Sequence, residues 1–144
     1  MALPTIAAPS VKCEQAIYNF LSSSMSGSGV NIYTGINNDD KQTPAVIIAC
    51  TNLTEVVFNT RVYAFEVDII TKEIAYDDTE SNFMNIAGNV IAYFADDISN
   101  KTFMGSFTTG IRFWQCQMIA HANAHVEDAW VQSLSIRLIG ALVP

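Results

Sequence analysis

Charge is what this sequence has least of. Of 144 residues only 15% are Asp, Glu, Lys or Arg, against about 25% in an ordinary soluble domain. The basic residues number seven: Lys12, Lys41, Arg61, Lys72, Lys101, Arg112 and Arg137. They are scattered, and the formal net charge is −7. A nucleic-acid surface needs clustered cations to displace counterions, so direct binding of DNA or RNA is not expected. Long apolar runs are missing as well. No stretch reaches the roughly 18 residues that would span a membrane. The start, Met1 to Pro9, is apolar but lacks the basic opening and long apolar core of a signal peptide, so the expected setting is a cytosol. Cysteine is sparse: Cys13, Cys50 and Cys116 are far apart in sequence, odd in number and form no CxxC. That spacing reads as small buried hydrophobes, neither a disulfide framework nor a metal knuckle.

The motifs of common chemistries are missing too. Gly27-Ser28-Gly29 has neither the spacing nor the Lys of a phosphate loop, and there is no GxSxG serine elbow. Two groupings merit weighing. His121, His125, Glu127 and Asp128 are residue types that ligate zinc or iron, but their patterning places them in a hairpin loop as solvated side chains. Glu66 and Asp68 share one strand face, and paired carboxylates can divide acid and base roles. Strand alternation alone explains them as a wet sheet face. No catalytic, cofactor or metal site is expected, and the chain is not expected to be an enzyme.

What the sequence has in quantity is hydrophobicity: half the residues are apolar. A single domain of this length buries roughly 70% of the surface its unfolded chain exposes. It then has little charge left with which to guard what stays outside, which points to an oligomer. The expected organisation is one domain over 1–144. It starts with an extended arm at 1–9 that includes Ile6. Ser10 caps a first helix from Val11 to Met25, with Cys13, Ala16, Ile17, Phe20 and Leu21 at helical spacing. Val30 to Tyr33 reads as a short strand. A polar loop with Asp39 and Asp40 follows, then a buried strand from Ala45 to Cys50. A turn at Thr51-Asn52 precedes another strand over Thr54 to Phe58, and Asn59-Thr60 reads as a hairpin turn.

Arg61 to Thr71 alternates, with Tyr63, Phe65, Val67 and Ile69 toward a core and Ala64, Glu66 and Asp68 toward water. A second helix opens at Asp77 or Thr79 and carries Phe83, Ile86, Ala87, Val90, Ile91, Phe94 and Ile98 along one stripe. Residues 99–110 form a Gly/Ser/Thr-rich loop tipped with Phe103, Met104 and Phe107. Large apolar side chains in such a setting either fold back or meet a partner. Two strands, Ile111 to Ala120 and Trp130 to Ile139, close the chain as a hairpin joined by His121 to Asp128. In the first, Trp114, Cys116 and Met118 share a face. In the second, Trp130, Gln132, Leu134, Ile136 and Leu138 do. Strand runs broken by single helices predict an α+β fold: a mainly antiparallel sheet of about five strands with two helices packed on one face.

This order of elements resembles the tail terminator (tail completion) proteins of tailed bacteriophages. The helix, Val30-Asn31-Ile32-Tyr33, Pro44-Ala45-Val46-Ile47-Ile48, the long strand Val62 to Ile69, the amphipathic helix Glu80 to Ile98 and the final hairpin carry the likeness over nearly the whole chain. The 99–110 linker and the 121–128 loop do not match it. The resemblance implies a structural virion subunit, assembled in the host cytoplasm. It implies a homo-oligomeric, hexameric ring on the head-proximal end of the tail tube, in contact with the major tail tube protein and a neck or head-completion protein. DNA would pass through its lumen without specific binding. Phe103, Met104, Phe107, Ile6, Asp39 and Asp40 are the expected interface residues. Another head-to-tail connector or head-completion subunit fits the same pattern. A small ligand-binding or hydrolytic α+β domain using Glu66 and Asp68 is the reading from a different class.

Overall fold

A computed structural model describes residues 9–35, 42–57, 62–75, 79–95, 111–126 and 128–142. They form two helices and five strands in the order α1 (Pro9–Ser24), β1 (Asn31–Thr34), β2 (Ala45–Val57), β3 (Val62–Ile74), α2 (Glu80–Ala95), β4 (Ile111–Val126) and β5 (Ala129–Leu142). The strands make one sheet ordered β1-β2-β3-β5-β4. Only β1 and β2 pair in parallel; every other neighbour is antiparallel. The fold is α+β, as the alternation of strand runs and single helices predicts.

One sheet face carries the core. Val46 and Ile48 of β2, Phe65, Val67 and Ile69 of β3, and Leu134, Ile136 and Leu138 of β5 are all buried there. They are paired across the strands in register, Ile48 with Ile69 and Ile69 with Leu134. Both helices lay their apolar stripes on this face. Cys13, Ala16, Ile17, Phe20 and Leu21 of α1 and Ile86, Val90 and Phe94 of α2 join the same cluster. Phe20 stacks against Phe94 with ring centroids 5.7 Å apart, which welds the two helices together over the sheet. Phe65 meets Phe113 edge-on at 5.8 Å, a geometry that sets ring edge against ring face.

Three expectations about element limits are corrected. The first helix begins at Pro9, so Ser10 lies inside it and is not its cap. Proline fits the first helical position because the N–H it lacks would have had no partner there. The helix ends in a turn where Gly27 and Gly29 take positive φ, 81° and 79°, conformations that side chains with a Cβ resist. β2 is one strand of 13 residues, not two. Thr51 is absorbed in a register shift between Cys50 and Asn52, a bulge that bends the strand without ending it. The segment from His121 to Val126 is strand, not loop: it continues β4 and pairs residue by residue with β5, His121 with Leu134 through Val126 with Ala129. At the start of α2, Thr79 holds the capping position and its carbonyl accepts from Phe83 N–H at 2.9 Å. Asp77 and the proposed Asn59-Thr60 turn lie outside the described residues.

Candidate functional site

The residues first expected to meet partners, Ile6, Asp39, Asp40, Phe103, Met104 and Phe107, all lie outside the described residues. The described surface offers a different candidate, built on β4.

β4 is the outer strand of the sheet and runs for 16 residues. Its inner side is bonded to β5 along its whole length. Among the described strands nothing pairs with its outer side, so alternate N–H and C=O groups face outward. Only its first residues reach the core: Ile111 and Phe113 are buried. From Trp114 to Val126 every residue is exposed except Cys116, which is half-buried. The sequence of this stretch contains no Lys, no Pro and no acid. Natural sheets guard open edges with those residues, Lys and Pro above all, because an unguarded edge templates pairing with another chain. β4 does carry a second kind of guard, two bulges, between Phe113 and Gln115 and between Met118 and Ala120. The extra residues at those bulges are Trp114 and Ile119, 51% and 52% exposed. The bulges therefore present apolar side chains rather than charges. Met118 and Val126 are further exposed apolar residues on the same strand.

The core-facing side of β4 extends the surface toward α2. His121, Asn123 and His125 pair with Leu134, Gln132 and Trp130 of the core-facing row of β5. His125 stacks on Trp130 with ring centroids 4.6 Å apart, and Phe83 of α2 stacks on Trp130 at 6.5 Å. Beside this stack runs a groove of about 240 Å³ between the hairpin residues Asn123, His125 and Trp130 and the start of α2 at Glu80, Phe83 and Met84. Met84 is half exposed on its rim. Trp130 Nε1 is buried with no hydrogen-bond partner among the described residues.

On the opposite side of the sheet β1 covers only Ala45 to Ile48 of β2. Beyond that, Thr51 to Val56 are exposed, with Leu53 and Val56 the large apolar members. Among the described strands the sheet thus has two unlike edges with no strand paired on them: β4 on one side and the distal half of β2 on the other.

The residues weighed for chemistry are placed elsewhere. His121 and His125 stand four residues apart on a strand, about 13 Å at strand rise. They do not converge, and Glu127 is outside the described residues. Among the described residues no cluster of three or more His, Cys, Asp or Glu could hold a metal. Glu66 and Asp68 do share the sheet face away from the helices. There Asp68 accepts a hydrogen bond from Ser135 Oγ at 2.8 Å, and Glu66 stands opposite Arg137. Among the described residues no helix is long and apolar enough to cross a membrane.

The three cysteines, distant in sequence, all pack against the one core, from α1, β2 and β4. Cys13 is fully buried in α1, with Cys50 and Cys116 half-buried against the same core. Glu14 Oε2 accepts the Cys50 N–H at 2.8 Å, tying α1 to the β2 bulge. Burial pushes the Cys13 thiol well above its ordinary pKa, and the hydrogen bond it shares with Cys50 adds to this. That same bond holds Cys50 below the ordinary thiol range, against the opposing effects of partial burial and the Glu14 carboxylate. Comparison of the sequence with known protein families and with curated proteins finds no match to either.

Proposed function

We propose that this chain is a structural subunit that assembles with copies of itself through its open sheet edges, forming a ring in a bacteriophage tail or neck. The observation that carries the assembly reading is β4: a 16-residue strand, outermost among the described strands and exposed from Trp114 onward apart from Cys116, with no Lys, Pro or acid to keep another chain away. Backbone groups on such an edge supply affinity through strand addition, and the side chains beside them supply specificity. Trp and Met are the residue types enriched at the centres of interfaces. The second edge, at Leu53 and Val56, supplies an unlike partner surface. Contact between two different patches is head-to-tail and closes as a ring when its rotation allows.

The assignment to a phage tail rests on the order of elements, which resembles tail terminator proteins, and on the apolar, weakly charged surface. In that setting the ring sits at the head-proximal end of the tail tube, between the major tail tube protein and the head-side connector. A net charge of −7 would let DNA pass the lumen without adhering. The test is mass in solution, measured by light scattering on a sizing column, alone and with added major tail tube protein. A ring-sized species in either sample supports the proposal. A chain that stays monomeric alone and with tube protein at high concentration removes it.

A further inference from the structure

We propose that the core face at the β4–β5 hairpin end is a binding site for a neutral primary carboxamide carried on an apolar body. Among the described residues three polar side chains are buried: Thr71 at 1%, Glu73 at 7% and Gln132 at 1% exposure. They are gathered in one place. Thr71 stands opposite Gln132 and Glu73 opposite Trp130, and Asn123 and His125 of β4 extend the same two rows. Both rows continue the face that carries Ile69 and Leu134. Polar groups thus replace apolar ones there, and burying them costs free energy unless each is hydrogen-bonded. Two of them are bonded. Gln132 Nε2 donates to the Ala87 carbonyl of α2 at 3.1 Å, and Glu73 accepts from the Ile74 N–H at 2.9 Å and from Asn82 Nδ2 at 3.5 Å. Two further atoms are not: Thr71 Oγ1 and Trp130 Nε1 are buried with no partner among the described residues. Folded proteins seldom leave such groups unpaired without a reason, and places where a sequence breaks its own patterning are where function collects.

The unpaired atoms set the chemistry of the ligand. An indole N–H only donates and a carboxylate only accepts. The ligand must therefore carry an acceptor for Trp130 and a donor for the oxygens beside it. Glu73 and, at the groove, Glu80 make this end acidic. Lys72, between Thr71 and Glu73 on β3, belongs to the opposite sheet face by alternation. An anion is thus repelled, and a cation has no lone pair for the Trp130 N–H. A primary carboxamide has both parts, a C=O to accept from Trp130 and an NH2 to donate to Thr71 or Glu73. Thr71 and Trp130 are diagonal neighbours on paired strands, about 7–8 Å apart in such pairings, so one small group lies within reach of both. The adjoining groove of about 240 Å³, walled by Phe83 and Met84, takes the apolar body. The carboxamide can come from a free small molecule or from an Asn or Gln side chain of a polypeptide.

Benzamide is titrated into the isotope-labelled full chain, and the indole N–H signals of the two tryptophans are followed by NMR. The Trp130 signal should move saturably. Trp114, half exposed on its bulge, is the internal control and should not move. Benzoate has the same shape with a carboxylate and should leave both signals in place. Thr71→Val keeps the volume, removes the unpaired hydroxyl and should weaken benzamide binding roughly tenfold, the worth of one hydrogen bond. A peptide with one glutamine and an N-methylamide end forms the second arm. Tighter binding than benzamide assigns the ligand to a polypeptide side chain, and weaker binding assigns it to a free molecule. Four results overturn the inference: a Trp130 signal unmoved by both probes, benzoate bound as well as benzamide, unchanged affinity in Thr71→Val, or an indole proton that reports bound water only. If Thr71→Val fails to fold, benzamide against benzoate on the parent chain still decides. The result is separate from assembly, which is read from mass in solution.

Discussion

At position 140, β5 passes so close to β4 that an added Cβ would sit 2.5 Å from the Arg112 carbonyl oxygen and 2.7 Å from Phe113 Cδ1. The first of these is backbone and cannot swing aside. Phe113 is buried against Phe65, so it has little freedom either. Gly140→Ala should therefore force the two strands apart and destabilise the fold by about 1–3 kcal/mol, the usual cost of overpacking. A lowered urea midpoint with an unchanged slope would confirm it; an unchanged midpoint would not. Cys50 makes a second residue-scale prediction. Because its pKa is lowered and that of Cys13 is raised, alkylation of the native protein should start at Cys50 at a pH below that of an ordinary thiol and leave Cys13 untouched. The Glu14 carboxylate opposes the Cys50 thiolate. Glu14→Gln keeps an oxygen to accept the Cys50 N–H but removes the negative charge. The alkylation midpoint of Cys50 should then move to still lower pH, and a midpoint that rises would contradict the assignment of that repulsion.

Elements were legible in the sequence where large apolar side chains carried the period. β3 alternates through Phe65, Val67 and Ile69, and α2 repeats through Phe83, Ile86, Val90 and Phe94; those residues are buried as expected. Where the period rests on other residues the sequence misleads. Thr51 and Asn52 are turn formers, yet the bulge at Cys50 accommodates them and β2 continues. His121-Ala122-Asn123-Ala124-His125 has low strand propensity and reads as loop, but pairing to β5 sustains it as strand. The bulge at Trp114 also undoes part of the face assignment. Cys116 and Met118 line up with the core-facing residues of β5, while Trp114 is displaced into solvent. That displacement is why the candidate surface was invisible in the pattern: a tryptophan spaced to share a face with Cys116 and Met118 gives no sign of the bulge that turns it outward. The same geometry predicts where assembly acts. If β4 accepts a neighbouring strand, its outward N–H groups should gain protection from hydrogen exchange in the assembled protein, while the N–H groups already bonded to β5 change little. Exchange measured peptide by peptide should localise the gain to the Trp114–Val126 stretch. Protection confined to the helices would place the contact elsewhere.

For the whole molecule, two unlike edges distinguish a head-to-tail contact from a symmetric one. Ile119 marks the β4 edge and Val56 the β2 edge; both are about half exposed, 52% and 48%. A lysine at either site should cost the monomer little, within about 0.5 kcal/mol for a surface change, while placing an unpaired charge in any interface built there. If β4 of one copy joins β2 of the next, Ile119→Lys and Val56→Lys should each be monomeric alone. Each variant nevertheless keeps one intact edge, and the two intact edges are the complementary pair. Mixing them should give a heterodimer that grows no further, because its outer edges are the two blocked ones. If instead β4 pairs with β4 about a two-fold axis, Val56→Lys should assemble like the parent chain and the mixture should contain no heterodimer. Light scattering on the two variants and on their equimolar mixture separates these outcomes. Only the heterodimer is compatible with a ring that closes by repeating one contact between unlike edges.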